Sequence, residues 1–258
     1  MSTAFSQLES QYDARLGVYA VDTGTGKTVT YRPDERFAYA STSKALLASA
    51  ILVKASSREL DQVIKYRKED LVAYSPITEN HVEEGIPLRE VIAAALQYSD
   101  NTAANLMFKH LDGPAGLQKA LMALGDNTTH VDRIEPDLNE AMPDDIRDTT
   151  TPKAIGTDLY KYALGDSLPM DKQELLTTWL KGNTTGAKLI KAGVPAEWTV
   201  GDKTGAGSYG TRNDIAVIWP DKGEPIVLAV MSSKTTKDAK YDDALIAAAT
   251  QEAIKELK

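Results

Sequence analysis

The chain has 258 residues, 42% of them hydrophobic, which is enough for one large core or two lobes sharing a cleft. Charged residues of both signs are interspersed, and the formal charge is −8 with no Lys/Arg-rich stripe carrying aromatics, so disorder and nucleic-acid binding are both excluded. Cysteine is absent, which removes disulfides, thiol catalysis and Cys-ligated metals, and no apolar run is long enough to span a membrane.

Met1-Ser2-Thr3 leads straight into an amphipathic segment with no signal peptide, as expected of a processed form with an added Met. Ala4 to Arg15 reads as a helix, with Phe5, Leu8, Tyr12 and Leu16 at helical spacing. Leu16–Thr23 and Thr28–Tyr31 read as strands of a hairpin turning at Gly24-Thr25-Gly26-Lys27. That turn is not a phosphate-binding loop, because Val21 stands where the first glycine of such a loop is needed.

From about Ser43 to Leu180 the pattern is mainly helical. Ala45, Leu46, Ala48, Ser49, Ile51 and Leu52 make a small-and-apolar helix suited to burial. Leu88–Gln97, Thr102–Leu111, Gly113–Leu124, Ile155–Leu164 and Lys172–Leu180 continue the set. Asp126 to Thr151 is a long Asp/Asn/Pro/Thr-rich connection of the kind that usually carries function. Thr199–Lys203, Thr211–Trp219 and Ile226–Ser232 read as an antiparallel meander, and Tyr241–Leu257 as a closing helix. The expected fold is α/β and two-lobed. Residues 1–36 and 182–258 form a sheet flanked by the terminal helices, and 37–181 form an inserted all-α lobe, with the active site in the cleft between them.

Three short strings carry chemistry. Ser41-Thr42-Ser43-Lys44 puts an amine three residues from a hydroxyl on one helix face, and a serine at a helix start points its own N–H at a developing oxyanion. Ser-x-x-Lys alone is expected about once by chance in such a chain, and an N-capping Ser with a surface Lys is the bland alternative. Ser99-Asp100-Asn101 offers a hydroxyl for a proton path and an amide for a substrate, or is simply a turn in which Asp100 bonds backbone N–H groups. Lys203-Thr204-Gly205 is either a cation beside a hydroxyl on a strand or an edge strand guarded by an exposed Lys. A fourth string, Arg133-Ile134-Glu135-Pro136-Asp137-Leu138-Asn139, supplies a carboxylate able to activate water, or is an acidic surface loop. His81, His110 and His130 have no paired ligand spacing, so no metal and no other cofactor is expected.

The three strings in this order should arise by chance in well under about one chain in a thousand, and together they resemble the class A serine β-lactamases. The likeness extends over nearly the whole chain, through Arg36-Phe37-Ala38-Tyr39-Ala40, Asp70 to Pro76, Asn101 to Asn105 and Gly210 to Asp214.

The resemblance implies hydrolysis of a small-molecule β-lactam through a covalent acyl-serine. Ser41 is the nucleophile, with the N–H groups of Ser41 and Ala206 as oxyanion hole. Ser99, near Lys44 and Lys203, passes a proton to the leaving nitrogen, and Glu135 with Asn139 activates water on an Ω-shaped loop of about residues 131–149. Whether Lys44 or Glu135 is the acylation base stays open. Lys203, Thr204, Gly205 and Arg212 face the substrate carboxylate, Asn101 a substrate amide, and Tyr74 forms an aromatic wall unless it is a core tyrosine. Asp100, Asn105, Pro136 (after a cis bond), an Arg133–Asp148 pair across the loop neck and Asp243 beside Arg212 are structural supports. Gly207, Ser208 and Ala73 lie where substrate breadth is set. An exported monomer is expected. A peptidoglycan peptidase and a β-lactam sensor share the three strings but are expected to lack the Glu135/Asn139 pair.

Overall fold

The computed structural model describes residues 3–258. In chain order it contains α1 (Thr3–Tyr12), β1 (Arg15–Asp22), β2 (Thr28–Tyr31), β3 (Phe37–Ala38), α2 (Ser43–Lys54), α3 (Ser57–Leu60), β4 (Val63–Ile64), β5 (Ile86–Pro87) and α4 (Leu88–Gln97). Then follow α5 (Asn101–His110), α6 (Pro114–Leu124), β6 (Thr149–Thr150), α7 (Pro152–Ala163), α8 (Met170–Lys181), β7 (Thr199–Ala206), β8 (Arg212–Trp219), β9 (Ile226–Ser233) and α9 (Asp243–Leu257).

Element ends follow local chemistry. Asp100 caps α5 by accepting from Ala103 N at 2.8 Å, and Thr151 caps α7 with Pro152 in the first turn. The helix read over Ala4–Arg15 ends at Tyr12, because Asp13 turns to φ +46° and Arg15 pairs with Ser233 in the sheet. The strand read as Thr199–Lys203 runs on to Ala206, because the pairing with β8 continues to Ala206↔Arg212.

The main sheet has the order β2-β1-β9-β8-β7, and every pairing is antiparallel. Both faces are covered, so β9 is an unbroken apolar run rather than an alternation of apolar and polar residues. Val227, Ala229 and Met231 face a core shared with α2, α4 and α7, while Leu228 and Val230 face Phe5 of α1 and Leu245, Ile246 and Ala249 of α9. α2 is buried continuously from Ser43 to Leu52, as its small-and-apolar composition predicts. This central helix carries Lys44 into the interior.

The connection from Asp126 to Thr151 is not loose. β6 pairs with β3, tying the end of the loop to the segment just before Ser41. The Asp148 carboxylate accepts from Tyr39 Oη at 3.0 Å and from the backbone N–H groups of Asp132 and Arg133 at 2.9 Å. Arg133 Nε adds an ion pair at 2.5 Å, so the two ends of the loop close on one buried carboxylate.

A second buried acid is paired differently. Asp126 and Asp158 lie against each other at the end of α6 and inside α7, and one Oδ2 of each is buried with no donor from the described protein. A proton on Asp158, shared with Asp126, would satisfy both. Burial, then the neighbouring Asp126 charge, pushes Asp158 up to about 9. In the unfolded chain the same group ionises near 4. Across that window the folded state binds more protons, so its stability is highest below the unfolded value and declines as pH rises to about 9. Asp158→Asn replaces the proton with an amide donor. The stability of the variant relative to the parent should therefore rise steadily from about pH 5 to about pH 8, by at most about 1.4 kcal/mol per pH unit, and its relative melting temperature should rise with it. Parallel curves would rule out the shared proton.

Candidate active site

Ser41 lies in a single helical turn, Ala40–Thr42, that leads into α2. It does not cap the helix: Thr42 holds the cap position and makes no side-chain cap bond. Ala40, immediately before it, is held at φ +50°, and Ser99 and Tyr74 sit at +58° and +63°. Backbone strain of this kind persists where the surroundings over-determine a side chain's position.

Lys44, one turn into α2, organises the cleft. Its Nζ lies 3.0 Å from Ser41 Oγ, 3.0 Å from Glu135 Oε1, 2.8 Å from Ser99 O, 3.3 Å from Ser99 Oγ and 2.7 Å from Asn101 Oδ1. Ser41 Oγ also donates to Glu135 Oε1 at 3.2 Å. Lys44 and Glu135 are both almost completely buried. Burial lowers the Lys44 pKa, and the Glu135 carboxylate opposes that shift.

Glu135 is positioned through its backbone. Asn105 on α5 accepts from Glu135 N and donates to Glu135 O, both at 2.9 Å, and the Glu135–Pro136 peptide is cis. Asn139 Nδ2 donates to Glu135 Oε2 at 2.5 Å, while Asn139 Oδ1 is buried with no donor among the described residues. The acidic-surface-loop alternative fails on burial, since Glu135 is 2% exposed.

β7 forms the opposite wall. It is an edge strand, but Lys203 does not guard it from solvent: the side chain is fully buried. Lys203 Nζ donates to Ser99 Oγ at 3.1 Å, so Ser99 stands between two buried amines. Burial, with the neighbouring Lys44 charge, pushes Lys203 down to about 7. Thr204 Oγ1 lies 2.6 Å from Thr185 Oγ1, a residue the sequence strings did not single out; its signal was the Asn183-Thr184-Thr185-Gly186 turn after α8. Arg212, paired with Ala206 across β7 and β8, is held by Asp243 at 2.7 Å and lies over Tyr241.

Asp100 is structural. It accepts from Ile77 N, Thr78 N, the Thr78 hydroxyl and Ala103 N, pinning the rim segment to the start of α5. Asn101 has its Nδ2 on Ala73 O at 2.9 Å, and its other end on Lys44. Tyr74 is 61% exposed, which removes the core-tyrosine alternative. Gly207 and Ser208 meet the loop: Ser208 N donates to Asn139 O at 3.0 Å. Sequence reading also missed Asp202 and Asp214, two buried acids on β7 and β8 near Lys203, both raised first by burial.

A serine hydroxyl with an amine, a carboxylate and a second hydroxyl in bonding range is an arrangement able to carry out serine acyl transfer. Residues 1–257 match the Beta-lactamase enzyme family. A β-lactamase of Bacillus amyloliquefaciens is 57% identical over 254 residues, 98% of this chain and 83% of the relative. One from Bacillus licheniformis is 56% identical over 257 residues, covering 100% of this chain and 84% of the relative. A halotolerant bacterial β-lactamase superposes with a TM-score of 0.98 at 55% identity, covering 100% of this chain and 99% of that one. The class A β-lactamase of Clostridium kluyveri superposes with 0.97 at 51% identity, covering 98% and 97%. The chain belongs to the β-lactamase family, in its serine-dependent class A. It hydrolyses β-lactams, the reaction that confers resistance to these antibiotics.

Gly205 is where close packing sets the cleft geometry. A Cβ there would fall 2.9 Å from Tyr39 O and 3.2 Å from Ser41 N, so any larger residue must push β7 away from the Ser41 turn. Gly205→Val should lower kcat/KM by about 100-fold while the chain still melts cooperatively, because displacement of the order of an ångström is costly at a reacting centre. Parent-like kcat/KM in that variant would show that the close approach is dispensable.

Proposed function

We propose that hydrolysis runs through an acyl-enzyme on Ser41, with each of the residues above in a stated role. The observation that carries the reading is Lys44: one buried amine lies within bonding range of the Ser41, Glu135 and Ser99 side chains at once. Ser41 Oγ attacks the lactam carbonyl carbon. Its proton passes to Glu135, toward which the hydroxyl already donates while it accepts from Lys44. The developing oxyanion is held by the N–H groups of Ser41 and Ala206, brought close by the approach of β7 to the nucleophile turn.

When the C–N bond breaks, the ring nitrogen takes a proton from the Ser99 hydroxyl, which is resupplied by Lys44 or Lys203. Lys203, Thr204 and Arg212 receive the substrate carboxylate, and Gly205 keeps the strand backbone approachable. An anion there raises the Lys203 pKa from about 7 and favours its charged form. The net charge of −8 makes such a local positive patch necessary. Asn101 and Tyr74 face the substrate side chain. The proton held by Glu135 then passes to Lys44, 3.0 Å away, which restores the amine that resupplied Ser99 and frees the carboxylate. For deacylation the ionised Glu135 takes a proton from water, and the buried Asn139 Oδ1 supplies a second acceptor to orient it. Hydroxide adds to the ester carbonyl, Ser41 leaves, and the proton returns to its oxygen.

The same reading divides the chain into a sheet lobe (1–36 and 182–258) and an inserted helical lobe (37–181), with the loop 131–149 on the cleft. It also places the enzyme outside the cytoplasm, as a monomer. Large exposed hydrophobics such as Val53, Met122 and Met170 come singly from different helices, which supports the monomer. Among the described residues no helix is long and apolar enough to cross a membrane.

With a chromogenic cephalosporin in excess, the parent should complete many turnovers, and Ser41→Ala should lose about 10³-fold or more in kcat. A stoichiometric burst followed by silence would contradict turnover. Glu135→Ala should acylate slowly, with Lys44 the remaining base on Ser41, and deacylate more slowly still, so an acyl-enzyme accumulates that intact mass detects at the variant's mass plus one substrate. Full turnover in that variant would remove Glu135 from deacylation.

A further inference from the structure

A second cavity, of about 940 Å³, contains none of Ser41, Lys44, Ser99, Glu135 or Lys203 in its lining. It is lined by the end of α1 and start of β1, the connection from β2 to β3, residues 141–147 of the Ω-like loop, and the chain just after β9, and it opens to solvent. Its size lies in the range of small-molecule sites. We propose that this cavity binds an amphiphilic monocarboxylate, with the carboxylate on Arg36 and the apolar body against Met142 and Ile146.

The charges in the lining decide the head group. Arg15 is committed to Glu35 at 3.1 Å and to the Arg36 carbonyl, Arg32 to Glu9 and Glu35, Arg147 to Asp145 at 2.7 Å, and Lys234 to Asp242 at 2.8 Å. Arg36 is the exception. Its one protein hydrogen bond among the described residues runs from Nη1 to Thr149 Oγ1 at 3.1 Å, and that hydroxyl is itself directed to Ile146 O. No carboxylate among the described residues pairs with it, and the remaining guanidinium donors form the planar fork that receives a carboxylate through two bonds.

The other lining acids set an upper limit on ligand charge. Glu35 and Asp145 are already neutralised by arginines. Asp13 and Asp144 are solvent-exposed, where water and salt screen them. One free guanidinium matches one negative charge, and a phosphate dianion would meet acids that nothing offsets.

The apolar part follows from two side chains that folding leaves uncovered. Met142 is 42% and Ile146 56% exposed, on the same loop segment and in the same cavity, with Pro143 between them in sequence. In the same lining the Arg15 guanidinium stacks 3.9 Å from the centre of the Phe37 ring, a flat and weakly hydrated pair. Such a site takes a chain or ring of modest size, at about 25 cal/mol per Å² of apolar surface covered.

The test is titration calorimetry of the full chain with sodium octanoate, alongside octan-1-ol as the uncharged analogue, and amide NMR to locate the perturbation. Saturable one-to-one binding is expected, with shifts confined to residues 141–147 and the neighbourhood of Arg36. Arg36→Gln should weaken octanoate about tenfold or more, Met142→Ser with Ile146→Ser several-fold, and octanol should bind more weakly than octanoate. Arg212→Gln, which alters the cleft's own anion site, should leave octanoate binding unchanged. The proposal is overturned by the absence of saturable binding up to about 10 mM, by equal affinity for octanol, or by loss of binding in Arg212→Gln instead of Arg36→Gln. The loop pair Met142→Ser/Ile146→Ser changes exposed side chains only, so it still tests the site if Arg36→Gln fails to fold. None of these readouts depends on turnover, so failure here leaves the acyl-enzyme reading untouched.

Discussion

The buried ion pair between Lys44 and Glu135 is the constraint around which the rest of the structure is arranged. The two groups are 3.0 Å apart and almost wholly removed from water. Removing one partner of such a pair typically costs about 3–5 kcal/mol, because the other charge is left buried and uncompensated. Each partner therefore needs independent support. Lys44 is carried by a helix buried along most of its length, and hydrogen-bonds to Ser99 and Asn101. Glu135 is held by its backbone, through Asn105, and by a loop whose ends meet at Asp148. The amine that pairs with Glu135 also touches the Ser41 hydroxyl, so the same contacts that stabilise the pair position that hydroxyl.

Around that pair the sheet supplies position more than chemistry. Edge strand β7 approaches the Ser41 turn closely because residue 205 has no side chain. The same approach brings Lys203 to the Ser99 hydroxyl from the side opposite Lys44. Two amines flanking one hydroxyl repel each other, which is part of why Lys203 falls to about 7. An anion placed beside Lys203 would offset that repulsion, so anion binding there and the charge state of the cleft are coupled.

The legible part of the protein was the part written in periodicity and in rare strings. α4 begins and ends where the apolar spacing puts it, and β9 extends the reading by a single residue. Ends moved where pairing outran local preference, as at Ala206, or where a residue turned to positive φ, as at Asp13. The catalytic strings named Ser41, Lys44, Ser99, Glu135 and Lys203, and the fold brings all five to one cleft. Thr185, Asp202, Asp214 and the Asp126–Asp158 pair were not legible. An aspartate that shares a proton in the core has the same letter as one in solvent, and hydropathy assigns both to the surface.

Residue order alone determined which elements form, which residue types are available for acyl transfer, and the family to which the chain belongs. Those follow from local spacing and from strings too improbable to be accidental. Tertiary structure decided the charge states and the partners. The Lys44–Glu135 pair and the Lys203–Ser99 pair each join residues far apart in the chain, the latter separated by 104 positions, so only packing can say that each pair meets. It also decided that Lys203 is buried rather than guarding an edge, and that Arg36, in a cavity bounded by separate segments of the chain, pairs with no carboxylate among the described residues. The physical reason is that desolvation and charge pairing are properties of a place in the fold, and neighbours in space are mostly not neighbours in sequence.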